Sequence, residues 1–310
     1  MRILIAAAVL ATLPGLQGGS ALTFVVGGSR FVVSNFSSGD LDGLQTGSKE
    51  KHFSVVGSLA KVFSPDQGFT ALGKSMDFTI TETDPKIVTV KSGLIDGSAS
   101  IIFDSETADK AAQERAQKAG KPAPAPRPES SHIELHSERL TYSGSSEKGT
   151  LELPLPWTIT DSTRGTAIKE IQKTPVTFDV EQDLTVSGTK GVFDLGKDKT
   201  GKFGQLKTGV IEGPVSFSIV RKETPRGTST PSVSRYTGVA DRLVVDLTTS
   251  PGTLVARGHV VVDADTPEIK NAHFVEDQVT IELDDQMQPL RIRFGGSPAK
   301  TTVTPRGGGK

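Results

Sequence analysis

The sequence predicts an all-β fold of antiparallel strands built by repetition, on three observations. Apolar and polar residues alternate with period two in segment after segment, as in MDFTITE (76–82), where Met76, Phe78 and Ile80 share one face. Apolar residues at helical spacings of three and four are almost missing. The phrase SRYTGVADRLVVDLTTSPGTLVARGHVVVDADT (234–266) runs strand, threonine-rich turn, strand, Gly-polar step and strand, and weaker copies of this cadence lie upstream. Roughly 16 to 20 strand segments result. A parallel arrangement would need crossover helices that the sequence does not supply.

The chain opens on MRILIAAAVLATLPGLQGGSA, with one arginine, an apolar run from Ile3 to Leu13, and small residues up to Ala21. That is the pattern of a secretory signal peptide over 1–21, and the run is shorter than the ~20 residues of a membrane span. The expected mature chain begins near Leu22 and forms one elongated domain to 295, followed by a flexible tail, 296–310. Cysteine is absent, which excludes disulfides, thiolate metal sites and an N-terminal lipidated cysteine. With 35 basic and 36 acidic side chains and no concentrated basic stretch, no nucleic-acid partner is expected. The 14 Phe, 2 Tyr and 1 Trp make stacking platforms for bases or sugars sparse.

In order along the chain, strands are expected at 22–26 and 30–35, then a Gly-Asp-Lys loop over 39–51. HFSVVGSLAKVFS reads as a strand with a bulge or bend at Gly57, and SPDQG (64–68) as a turn. Two strands are expected around Gly93 and Gly97. SETADKAAQERAQKAG (105–120) favours helix but offers no large apolar residue to bury, and KPAPAPRPE is a stiff spacer, so 105–130 reads as an exposed insertion. In TLELPLPWTITD, Pro154 and Pro156 argue for an edge or a bulge ahead of the strand that starts at Trp157. PVTFDVEQDLTVSGTKGVFDLG reads as three short strands bent at Gly188 and Gly191, and QLKTGVIEGPVSFSIVRKE as two more.

Enzymatic signatures are weak. His132 and His136 share a strand face with Glu134 and Glu138, but strand positions i and i+4 lie ~13 Å apart, too far for one zinc ion. The pairs Asp263/Asp265 and Asp284/Asp285 fall at turns, where aspartate bonds its own backbone. Neither a G-x-S-x-G elbow nor a phosphate loop occurs. No catalytic residue, metal or cofactor is therefore assigned.

The block ADRLVVDLTTSPGTLVARGHVVVDADTPEIKNAHFVEDQVTIELDD resembles the OstA-like repeat of periplasmic lipopolysaccharide-transport proteins, the LptA and LptC type. Leu243–Asp246 stands at the family's first strand, Gly258-His259-Val260 where the family has Gly-Asn-Val, and Val279–Leu283 at the start of the next unit. Looser copies are read at 54–80, 137–160 and 176–196. The asparagine is replaced by His259, and the length and the insertion at 105–130 also depart from the pattern.

The resemblance implies an elongated open β-jellyroll (β-taco) of two facing antiparallel sheets, with lipid acyl chains held between them. It further implies a non-catalytic periplasmic protein of outer-envelope assembly, whose partners are a lipopolysaccharide-like amphiphile and envelope proteins, or further copies, joined by sheet-edge pairing. On that reading the slot is lined by Phe78, Ile80, Phe103, Leu135, Trp157, Ile159, Phe178, Phe193, Phe217, Ile219, Val244, Val260, Val262 and Ile281. Basic residues beside apolar strand positions, Arg242, Arg257, Arg291 and Arg293, would meet lipid phosphates at its mouth. The same residues equally describe the core of a closed sandwich, a structural or adhesive envelope protein without a ligand. A carbohydrate-binding module is disfavoured by the few aromatics.

Overall fold

The structure, a computed structural model, describes residues 21–26, 29–42, 50–84, 87–125, 129–145, 147–171, 173–197, 203–267, 269–283, 289–295 and 300–305. Of the segment read as a signal peptide, 1–20 lie outside them. All-β architecture is observed: every paired strand whose register is resolved is antiparallel, and among the described residues one helix interrupts the strands. The chain divides into two compact units, one of residues up to 126 with 136–151, the other of 127–135 with 152 onward.

The first unit contains β1 (Leu22–Val26), β2 (Ser29–Ser34), β3 (Ser38–Asp42), β4 (Glu50–Ser64), β5 (Phe69–Asp84) and β6 (Ile87–Asp104). The helix α1 (Ser105–Lys118) follows. Next come β7 (Ser130–Gly144) and β8 (Lys148–Leu153), which the boundary between the units crosses. The loop expected over 39–51 contains strand β3, and the two strands expected around Gly93 and Gly97 are one, β6. The turn at Pro65–Gly68 is observed.

Helix α1 is less exposed than its composition suggested. Asp104 caps it, its carboxylate accepting from the Thr107 N–H at 2.7 Å, an arrangement that contributes about 1 kcal/mol. Ala108 and Ala111 are buried, Ala108 lies against Gly68, and Arg115 reaches Asp66 at 3.4 Å. Small residues suffice because the helix approaches a turn backbone.

The second unit contains β9 (Trp157–Ile171), β10 (Thr174–Gly188), β11 (Lys190–Lys197), β12 (Phe203–Pro225), β13 (Ser232–Asp246), β14 (Gly252–Asp265), β15 (Ile269–Leu283), β16 (Pro289–Gly295) and β17 (Lys300–Pro305). The two prolines at 154 and 156 fall in the break before β9. The three strands expected over 175–196 are two, and the two expected over 205–223 are one continuous β12. The tail expected to be flexible holds β17, which pairs with β15.

Nearly every long strand is interrupted at one level. In the first unit β2 and β3 are separated by 35–37, with Asn35 at φ 60°, and register shifts follow at 56–60 of β4 and 72–75 of β5. Gly97 and Ser98 of β6 have φ 73° and 57°. In the second unit the line runs through Thr189, then 212–215 of β12, 239–242 of β13 and 257–260 of β14, where Gly258 and His259 have φ 73° and 44°.

An extra residue in a strand reverses which parity faces inward. The burial pattern obeys this: Phe53 and Val55 are buried before the interruption in β4, Ala60 and Val62 after it. In β13 the switch is from Gly238 and Ala240 to Leu243 and Val245. One face of the sheet therefore stays inward on both sides of the line.

Candidate functional site

Rows of directly opposed residues cross the second unit on its inward face. On one side of the line, Ile159, Val186, Phe217, Gly238, Val262 and Phe274 form a row, and Asp161, Leu184, Ile219, Tyr236, Ala264 and Ala272 the next. On the other side stand Gly191, Ile211, Leu243, Ala256, Val279 and Phe294, then Phe193, Gly209, Val245, Leu254, Ile281 and Ile292.

The two sides are folded toward each other. Trp157 pairs with Gly188, five residues before Phe193, which is ~17 Å along a straight strand. Yet the Trp157 and Phe193 rings meet edge-on with centroids 5.5 Å apart. Phe274 and Phe294, from opposite sides of the line, stack at 5.0 Å. Small residues at the fold line, Gly188, Ala240 and Gly238 among them, give these rings room; the Phe217 ring covers Gly238 so closely that a Cβ there would lie 2.3 Å from it.

Burial is uneven across the inward face, and Phe193, Val245, Phe178 and Ala272 are buried away from the line. Trp157, Val215, Val260, Ile211, Leu243 and Val279 are buried beside it, whereas Ile159, Phe217, Ile219, Val262, Phe274 and Ile281 are only half-buried. The inward face thus packs at its fold and leaves apolar side chains partly uncovered farther out.

Beyond the apolar rows the inward face turns polar. Thr163, Gln182, Arg221 and Ser234 form the next row. The Arg221 guanidinium donates to Glu223 at 2.8 Å and to Gln182 at 3.3 Å, and Lys169 also donates to Glu223. The ammonium of Lys169 sits 5.7 Å from the Phe178 ring centre, a cation–π approach. Burial pushes the Glu223 carboxyl up, but the bonds from Lys169 and Arg221 outweigh it and hold the group below its ordinary range.

Asp161, one row nearer the apolar rows, is raised above the usual carboxylate range by burial, against a 3.1 Å hydrogen bond from Thr163. A carboxyl whose folded pKa is raised loses stability as pH rises from its unfolded to its folded value. Asp161→Asn is therefore expected to raise the melting temperature at neutral pH and to change it little near pH ~4. Thermal melts at the two pH values decide it, and an equal shift at both would remove the burial argument.

Of the residues expected to line a slot, the second unit brings Trp157, Ile159, Phe178, Phe193, Phe217, Ile219, Val260, Val262 and Ile281 to the inward face. Leu135 is buried and assigned to the same unit. Val244 is a correction. The interruption at 239–242 reverses parity, so it faces outward in a row with Val192, Val210 and Val255. Phe78 and Ile80 are half-buried in the first unit, Phe78 stacked on Phe53 at 6.2 Å. Phe103 is a second correction: it stands 47% exposed at the strand end beside α1, tilted on Phe69.

The basic residues proposed for a mouth are corrected as well. Arg242 and Arg257 oppose each other on the outer face, and Arg291 and Arg293 there flank Glu282 at 3.8 and 2.6 Å. Arg221 and Lys169 are cations of the inward face. The signal for Arg221 alone was in the alternation of Val215, Phe217, Ile219, Arg221 and Glu223, which keeps one parity from the apolar rows into the charged ones.

Four of the five histidines hydrogen-bond carboxylates on strands: His52 with Asp77 at 2.9 Å, His132 with Glu134 at 2.9 Å, His259 with Asp241 and His273 with Asp263 at 2.7 Å. Asp241, bonded across adjacent strands, raises the pKa of His259. Among the described residues no cluster of three or more such side chains is placed to hold a metal ion. Comparison of the chain with family models, curated proteins and solved structures finds no match.

Proposed function

We propose that the protein is a non-catalytic binder of a lipid, lipopolysaccharide-like amphiphile, exported to the periplasm and working in envelope assembly. The observation that carries the reading is the half-buried apolar stretch of the second unit's inward face, Ile159, Phe217, Ile219 and Val262, between the packed fold line and the polar row at Arg221. Such a surface shields acyl chains without a unique contact, since each methylene removed from water contributes ~0.8 kcal/mol. Export rests on the N-terminal pattern, and docking to envelope proteins or to further copies on sheet-edge pairing.

The test is native mass spectrometry of the mature chain, purified gently from its envelope fraction. A stoichiometric lipid adduct surviving gel filtration supports the reading. A clean apo mass with no uptake of offered envelope lipid favours a closed structural sandwich.

A further inference from the structure

We infer that Lys169, Arg221 and Glu223 form a headgroup site selecting amphiphiles with an anionic oxygen group, phosphate or carboxylate, and that Glu223 occupies it when no ligand is bound. This rests on the amphiphile reading above and narrows it. Three observations converge.

The first is position. The cluster lies on the inward parity, continuing the strand alternation that carries Phe217 and Ile219, and Gln182 and Thr163 stand beside it as neutral hydrogen-bonding groups. From Trp157 to Asp161, or Val215 to Ile219, the intervening apolar stretch spans four residues, ~13 Å of strand. A chain lying along it toward the fold line leaves its polar end at Arg221.

The second is charge. Two cations and one carboxylate sum to a single positive charge, and both cations bond the same carboxylate. An incoming oxyanion offers the same acceptor geometry that Glu223 now supplies, and the Arg221 fork matches it.

The third is graded exposure. Arg221 and Glu223 are 22% and 16% exposed while Lys169 is 47% exposed. The Lys169 ammonium lies 5.7 Å from the Phe178 ring centre, and its greater exposure leaves this charged end displaceable toward solvent.

The experiment titrates the mature chain with dodecyl phosphate, dodecyl maltoside and inorganic phosphate below micelle-forming concentrations, by calorimetry. The expected result is dodecyl phosphate bound about tenfold tighter than the maltoside, the difference shrinking in high salt, with inorganic phosphate far weaker than either. Lys169→Gln and Arg221→Gln should reduce dodecyl phosphate toward the maltoside level. Glu223→Gln should tighten it and leave the maltoside unchanged, which a purely structural ion pair would not do.

Equal affinity for the two detergents, indifferent to Glu223→Gln, overturns the headgroup site while leaving the amphiphile reading standing. Binding of neither detergent overturns both. Inorganic phosphate bound as tightly as dodecyl phosphate makes this a site for a free oxyanion and also overturns the inference.

Discussion

Trp157→Ala is expected to destabilise the second unit by about 3–5 kcal/mol, the range for emptying a large aromatic site. Trp157 is 3% exposed, meets Phe193 edge-on and lies over Gly188 and Gly191. Neither glycine carries a side chain to move into the space. Trp157→Phe should cost far less, because the indole Nε1 is buried without a hydrogen-bond partner and its removal forfeits no bond. Guanidinium titrations of both variants by circular dichroism check the pair. A Phe variant as unstable as the Ala variant would mean that the indole N–H finds a partner after all.

Gly213→Ala is the second large effect expected, at about 3 kcal/mol. A Cβ at Gly213 would stand 2.1 Å from the Asp241 carbonyl oxygen, and Asp241 is flanked by Ala240 and Arg242, which pair with β12 on either side of it. Gly258→Ala should cost about 1–2 kcal/mol for its left-handed backbone, with φ 73° and the Asp241 carboxylate 2.4 Å from the new atom. Gly120→Ala is the matched control: φ is 64° but nothing lies within 4 Å, so only the conformational cost remains. The order Gly213, Gly258, Gly120 in thermal melts is the expected outcome. Equal losses at all three would show that close approach at the fold line is unimportant.

The strands were legible because alternation is a local property. Gly57 announced its bulge and SPDQG its turn, since glycine and proline carry their conformational preference in their own residue type. The inward parity past the fold line was not legible. Asp241 is an ordinary residue, and the irregularity there is set by Gly213 on one neighbouring strand and by Gly258 and His259 on the other. Reading β13 alone thus placed Val244 inside. The counterpart of Gly258-His259 in the first unit was missed for a similar reason. Gly97-Ser98 shares the positive φ pair, but Gly97 reads in the sequence as the surroundings of two separate strands and not as a corner within one.

For the candidate site, the apolar rows could be read and the ion cluster could not. Lys169 sits on β9 and Glu223 on β12, 54 residues away. Nothing in either segment says that a lysine will lean across Phe178 to find its carboxylate. The basic residues that stood out in the sequence were those beside the most regular strands, and regular strands place alternate residues outward.

The row of interruptions has a consequence for how such a protein can change length. Strands β12 to β15 each carry their own corner, so the cross-section there belongs to the strand and not to the number of strands. Duplicating or deleting a whole hairpin within the second unit would lengthen or shorten the trough like an extruded profile, at constant width and angle. Removing a single glycine from one strand would instead put a step in the wall. Variation in this chain is therefore cheap in pairs of strands and costly in single residues at the corner.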